Sequence, residues 1–228
     1  MIVKDGWHLP FDDFFSHLPD NISIDQFGIN TRIEALNFCS NRSCAIDIGS
    51  HIGISVAHWA KEFDKVYAFE PVQQHFTCLI ENLKKFNNVE TFNYAVGNFT
   101  GNSKGSYRTK KNSGSFQMID EGYVQPKHKD KIRNLENINV IKLDSFNFSK
   151  VDLIKIDVEG WEAEVLEGAV NTIKTHKPVL MIEVLVDNPH KTLKTNYNLE
   201  KFNDMIKHLN YREIKHIKPD DKIFISYE

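Results

Sequence analysis

What this chain has little of narrows its class. It holds three cysteines in 228 residues, Cys39, Cys44 and Cys78, an odd number with no C-x-x-C pair. That fits reduced thiols, buried as small hydrophobes in a cytoplasmic protein, better than a disulfide framework. No apolar stretch approaches the ~20 residues that a membrane-spanning helix needs. Asp5, Asp12 and Asp13 interrupt the N-terminus where a secretory leader would place its apolar run. We therefore expect a cytoplasmic protein with no membrane partner. An excess of positive charge is missing as well: the formal net charge is -3 and the pI is about 6.4. That balance carries no footprint for a phosphodiester backbone, so no nucleic-acid partner is expected. Nothing in the sequence fixes an oligomeric state.

A hydrophobic content of 41% suffices for one sizeable core, and residues 1–228 are expected to form a single domain. Residues 1–40 read as an N-terminal arm or cap, rich in aromatics (Trp7, Phe11, Phe14, Phe15, Phe27) and without sustained period. Residues 98–139 read as an irregular insertion, a solvated loop or a lid, with Asn112-Ser113-Gly114-Ser115 and a basic segment from Gln125 to Lys131 carrying His128.

Between these lies a strand, tight turn and helix start, Cys44-Ala45-Ile46-Asp47-Ile48-Gly49-Ser50-His51-Ile52-Gly53. Glycine at such a turn lets a ligand approach the backbone with no Cβ in the way. Two familiar glycine patterns are absent. Counting from Gly49, the remaining positions of G-x-G-x-x-G hold His51 and Ile54, and Gly53 is followed by Ile54-Ser55 rather than Lys-Ser/Thr. What stands is D-x-G-x-x-x-G, with Glu70 ending the next strand 21 residues after Gly49. A carboxylate there can accept both hydroxyls of a ribose. A nucleoside ligand without a pyrophosphate fits, S-adenosylmethionine being the common one.

The remaining periodicity alternates strands with helices. Helices are expected over 31–40, over 52–63 and along the apolar stripe Val72, Phe76, Leu79, Ile80, Leu83 and Phe86, with Pro71 at the first helical position. Further helices carry Val165 to Ile173 and Leu199 to Leu209. Strands are expected at 44–48, 66–70, 89–96, 140–144, 151–157 and 179–186, with a terminal pair at 211–217 and 222–227 joined so tightly that it must be antiparallel. Alternation of this kind gives an α/β fold with a mostly parallel, doubly wound sheet.

Taken together, Asp47-Ile48-Gly49-Ser50-His51-Ile52-Gly53, Phe69-Glu70-Pro71, Asn93-Tyr94-Ala95-Val96-Gly97, Leu143-Asp144 and above all Ile154-Lys155-Ile156-Asp157-Val158-Glu159-Gly160-Trp161-Glu162 with Leu166-Glu167-Gly168-Ala169 resemble the FkbM family of methyltransferases, over residues 42 to 186. One departure is His51, where the family commonly has asparagine. The resemblance implies the Rossmann-like class I methyltransferase fold, with seven strands, an antiparallel C-terminal hairpin and helices on both faces. It implies S-adenosylmethionine as cofactor and methylation of a hydroxyl on a sugar, glycan or other small metabolite. Carried over by position, Asp47, Gly49, Ser50, His51 and Gly53 would line the methionine end, Glu70 the ribose, Asn93 with Ala95 the adenine edge, and Asp157 with Glu159 the sulfonium.

For catalysis, Glu159 and Glu183 fall at the carboxyl ends of strands, where ligands bind in open α/β sheets, and with Asp157 they are the candidate catalytic residues, Glu159 or Glu183 as general base; the alternative is that Glu159 caps the following helix and Glu183 pairs with a lysine. His176 and His190 are further possible bases, His176 reading better as a helix-end residue. Asp157 with Asp187 and Asn188 offers the residue types of a magnesium trio, but Asp-Asn-Pro is an ordinary turn and no metal is expected. The rival readings are a nucleic-acid methyltransferase and a non-catalytic module that binds S-adenosylmethionine.

Overall fold

The computed structural model describes residues 1–11, 13–19, 21–107, 113–119, 135–184, 199–217 and 220–227. In chain order these form β1 (Ile2–Lys4), β2 (Trp7–Leu9), α1 (Ile29–Phe38), β3 (Cys44–Ile48), α2 (Ile54–Trp59), β4 (Lys65–Phe69), α3 (Gln73–Leu83), β5 (Val89–Phe92), β6 (Ala95–Val96), β7 (Gly101–Tyr107), β8 (Phe116–Ile119), β9 (Glu136–Ile141), β10 (Leu153–Ile156), α4 (Glu162–Glu167), α5 (Val170–His176), β11 (Val179–Glu183), α6 (Leu199–His208), β12 (Tyr211–Ile217) and β13 (Asp221–Ser226).

Seven strands make the main sheet in the order β12-β13-β11-β10-β3-β4-β5. The five from β11 to β5 run parallel, and β13 pairs antiparallel with both β11 and β12. The central strands are apolar on both faces, as a sheet covered twice must be. On β3, β10 and β11 the side chains alternate between two cores: Ile46, Ile48, Ile154, Ile156, Leu180 and Ile182 join one, while Ala45, Leu153, Val179 and Met181 join the other. The first core is closed by α4, α5 and α6, the second by α1, α2 and α3. Helices therefore cover both faces. The arm is part of the second core too, through Trp7, Leu9, Phe15, Leu18 and Ile24.

Five expectations need correction. Residues 89–96 are not one strand: β5 ends at Phe92 and belongs to the main sheet, whereas β6 pairs with β9 in a second, four-stranded sheet ordered β6-β9-β7-β8. The break falls at Asn93, whose side-chain amide donates to the carbonyls of Glu70 and Pro71 at 2.9 and 3.0 Å and turns the chain away. The insertion, where described, is not irregular but supplies β7, β8 and most of β9, and the strand placed at 140–144 runs over Glu136–Ile141 and into a short 3-10 turn. Pro71 precedes the helix rather than opening it, since Val72 is the N-cap of α3. Finally, the helix after the second glycine turn is two helices. A Cβ on Gly168 would lie 1.9 Å from the carbonyl oxygen of Gly97, so the chain there is pressed against another backbone. Asp144 then caps the restart: its carboxylate accepts from the backbone N–H of Asn171 and Thr172 at 2.9 and 2.8 Å and from the Thr172 hydroxyl. Asn112, the 125–131 segment with His128, Asp187, Asn188 and His190 lie outside the described residues.

Candidate active site

The carboxyl ends of β3 and β10 meet back to back. Gly49 has φ of +82°, and a Cβ on it would sit 1.9 Å from the carbonyl oxygen of Asp157. The neighbouring loop by itself requires glycine there, a reason beyond the ligand approach first given for it. Gly53 likewise faces protein: at φ +92° its missing Cβ leaves room for Leu79 of α3, which would otherwise be 2.8 Å away. The turn is stitched by the backbone N–H groups of Gly49 and Ser50, both donating to the Phe69 carbonyl at 3.0 Å. Two residues with side chains also take left-handed backbone here, His51 at φ +50° and Glu159 at +53°. Such a position costs a residue bearing a Cβ about 1 kcal/mol.

Under this junction lies a buried cation. Lys155 on β10 places Nζ 2.9 Å from Asp157 Oδ2 and 3.4 Å from Asp47 Oδ1. Burial alone would lower the lysine, but Asp157 and Asp47 outweigh it and hold it above its usual value. Asp47 is fully buried and pushed up to about 6 by that burial, against the pull of Lys155. Its Oδ2 has no hydrogen-bond partner among the described residues. Asp157 also shares a hydrogen bond with Glu183 at the end of β11. The Asp157 charge, followed by burial, raises Glu183 well above the usual carboxylate range, while Asp157 itself is held low by Lys155 despite burial. Of the two carboxyl groups, Glu183 is thus the one pushed toward keeping its proton. Next along the edge, Asp221 of β13, paired in register with Glu183, is raised to about 6 by burial and by Asp157.

A second polar cluster stands across the turn. Glu70, which follows the last residue of β4, is 4% exposed. Its Oε2 accepts from the His51 N–H and its Oε1 from the Val72 N–H, both at 2.9 Å, and His75 Nδ1 lies 3.3 Å from Oε1. Burial opposes its charge, but the His75 hydrogen bond and the two histidines keep it below the usual value. The Tyr107 hydroxyl lies 3.4 Å from His75 Nε2. On the other side of the turn the His51 ring packs edge-on against His75 at 4.5 Å, and its Nε2 lies 2.6 Å from Ser113 Oγ.

These groups surround a cavity of about 800 Å³, within the range of small-molecule sites. One wall is the glycine turn with Ala95, Val96 and Tyr94; another is the row Asp157, Glu159, Glu183, Asp220 and Asp221; the arm closes a third with Phe14, Phe15 and Phe27. The described residues contain no helix long and apolar enough to cross a membrane.

The model of the methyltransferase FkbM domain matches residues 47–213. The chain belongs to the FkbM methyltransferase family. S-adenosylmethionine is therefore its cofactor. Among solved structures, a methyltransferase FkbM from Methylobacillus flagellatus superposes with a TM-score of 0.53 at 19% identity, over 81% of this chain and 43% of that one. The chain thus spans less than half the length of that relative. A Streptococcus mutans protein described as a candidate methyltransferase and solved in complex with SAH superposes with a TM-score of 0.51 at 12% identity, over 86% of this chain and 95% of that one. At such identities the likeness is one of fold. No curated protein matches the chain.

Within this FkbM chain the cavity gathers most of the residues singled out from sequence. Gly49, Ser50, His51, Glu70, Ala95, Asp157, Glu159 and Glu183 all line it. Asp47, Gly53 and Asn93 stand behind the lining, the first on Lys155, the second on α3, the third on the end of β4. His176 ends α5 and is not among the lining residues. Sequence reasoning passed over Lys155, although a lone lysine inside Leu153-Ile154-Lys155-Ile156 has to be paired if that strand is buried. It also passed over Asp13 and His75, and read Ser113 only as part of a loop or lid. Nothing local marks Asp13 and Ser113, which are 100 residues apart in the chain and adjacent in space.

Proposed function

We propose that this chain transfers the methyl group of S-adenosylmethionine to a hydroxyl oxygen of a small metabolite, sugar or glycan. The observation that carries this reading is the mixed lining of one cavity: the glycine turn, Glu70 and Ala95 border it together with the arm's phenylalanines and the strand-end acids. The strand order, with its antiparallel last pair, is read here as that of the Rossmann-like class I methyltransferases. When bound, the cofactor supplies its methyl group as a sulfonium.

The residues present fit that cofactor. Asp157 keeps 39% of its side chain exposed to the cavity side of Lys155 and is held ionised, so it offers negative charge to a cationic ligand. Glu70 has spent three of its roughly four acceptor positions on His51, Val72 and His75. One position is left for a ribose hydroxyl, where the sequence suggested both would be taken. Aromatic faces from the arm suit the CH faces of a sugar or an apolar ring, and carboxylates at the strand ends suit hydroxyl donors. A polynucleotide acceptor fits poorly, since Asp157, Glu159, Asp220 and Asp221 would face its phosphates. Three free thiols, two buried and one half-buried, support a cytoplasmic setting.

Incubation with S-adenosylmethionine carrying a deuterated methyl group and a panel of glycosides, aliphatic alcohols and short oligonucleotides tests the reading by mass spectrometry of the acceptors. Label on a glycoside or alcohol oxygen is the expected result. Label confined to the oligonucleotides would overturn it.

A further inference from the structure

We propose that His51 is the proton acceptor for the substrate hydroxyl, with Ser113 and Asp13 as the residues that position and polarise it. The inference rests on the hydroxyl-acceptor reading above and assigns its base.

Three distant segments converge on this imidazole. The Ser113 hydroxyl donates to Asp13 Oδ2, so its lone pair is what faces His51 Nε2 at 2.6 Å. Asp13 Oδ2 is itself 3.4 Å from the same nitrogen. A proton on Nε2 is the arrangement in which all three groups are satisfied: Nε2–H to Ser113, and Ser113 O–H to the carboxylate. The other nitrogen, Nδ1, is then left as a bare lone pair, and it makes no hydrogen bond among the described residues. His51 lines the cavity, and its side chain keeps 19% exposure.

The carboxylate behind the relay is built to stay charged. Asp13 is 1% exposed, and burial works against its ionisation. Yet His51, then the Ser113 hydroxyl and the Phe15 N–H at 2.7 Å, hold it below its usual value. The groups facing His51 are Asp13 from the arm, Glu70 from the end of β4, His75 from α3 and, electrostatically, Asp157. Glu183 is a poorer candidate for the role because its carboxyl group is already engaged in a hydrogen bond with Asp157.

As the acceptor oxygen forms its bond to the methyl carbon, the carbon–sulfur bond breaks with its electron pair left on sulfur. The hydroxyl proton passes to His51 Nδ1. The resulting imidazolium is balanced by Asp13 through Nε2–H, the logic by which a buried carboxylate orients and supports a histidine base.

Two measurements on the full chain test this. Nitrogen-15 NMR of labelled histidines, assigned with His51→Asn, should show His51 in its neutral form protonated at Nε2, with that preference lost in Ser113→Ala and Asp13→Asn. Methyl transfer to the hydroxyl acceptor found in the panel should slow by about 10² to 10⁴ in His51→Asn, a loss larger than any accompanying change in SAH affinity by calorimetry. Asparagine keeps the left-handed backbone at low cost but takes no proton. In Asp13→Asn the turnover number should fall with the KM for the acceptor unchanged; a merely structural latch would leave both the Nε2 tautomer and the turnover number in place. A protonated Nδ1 overturns the assignment whatever the acceptor. An undiminished rate in His51→Asn overturns it with the hydroxyl reading intact. Label found on nitrogen or carbon would overturn the reading on which it rests.

Discussion

Glu70 shows how a residue can be placed correctly from sequence and still be misjudged. Its position at the end of the second strand was legible, and it lines the cavity. What the sequence could not show is that two backbone N–H groups and a histidine converge on it. Glu70→Ala should therefore reduce both cofactor affinity and stability, and not affinity alone. Hydrogen bonds to a charged group contribute roughly 1.5 to 3 kcal/mol each, so urea denaturation should show a loss of at least that size alongside weaker SAH binding in calorimetry. Intact stability would return Glu70 to the purely ligand-facing role.

Lys155 carries a second prediction with a definite sign. Removing one member of a buried ion pair costs about 3 to 5 kcal/mol, and Lys155→Met should lose stability on that scale at pH 7. Asp47 already has its folded value raised to about 6 against an ordinary 3.8. A raised carboxylate destabilises the fold progressively as pH rises from its unfolded value through its folded one. Without Lys155 the folded value rises further, so the variant should regain stability as the pH is lowered from 7 toward 5. Denaturation midpoints across that interval check it; a variant whose deficit stays constant would show that Asp47 is not the group left unpaired.

At the scale of elements, the sequence was readable where one strong period governed and unreadable where two backbones met. The main-sheet strands and α3 carry apolar patterns that only their own geometry satisfies. β7 has none: Gly101-Asn102-Ser103-Lys104-Gly105-Ser106-Tyr107 shows no alternation, and it is a strand because β8 and β9 flank it. Phe116 covers Gly105 so closely that a Cβ there would lie 2.2 Å from the ring. The split between α4 and α5 is of the same kind, since neither Gly97 nor Asp144 is near it in sequence. Asp144→Ala should cost about 0.5 to 2 kcal/mol, as for a lost N-cap, measured by thermal unfolding, with the cavity and SAH binding unaffected. A loss of binding would mean that the break in the helix shapes the site.

For the whole molecule, the arm is the element whose role most changes the picture. Its aromatic richness suggested either a cap or a segment lying on the surface, and it is both core and cavity wall. Leu9 and Ile24 are fully buried in the core shared with α1, α2 and α3, while Phe14 and Phe27 border the cavity and remain exposed. Leu9→Ala should thus destabilise the entire domain by about 2 to 5 kcal/mol in a single cooperative transition. An unchanged midpoint would mean that the arm is dispensable to the core.

The claim on which the rest depends is that the cavity at the carboxyl ends of β3, β4 and β10 is an S-adenosylmethionine site. Titration of the purified chain by calorimetry with SAH and, separately, with a nicotinamide dinucleotide measures it most directly. Saturable one-site binding of SAH with no heat from the dinucleotide is the predicted result; binding of the dinucleotide with SAH silent would contradict it.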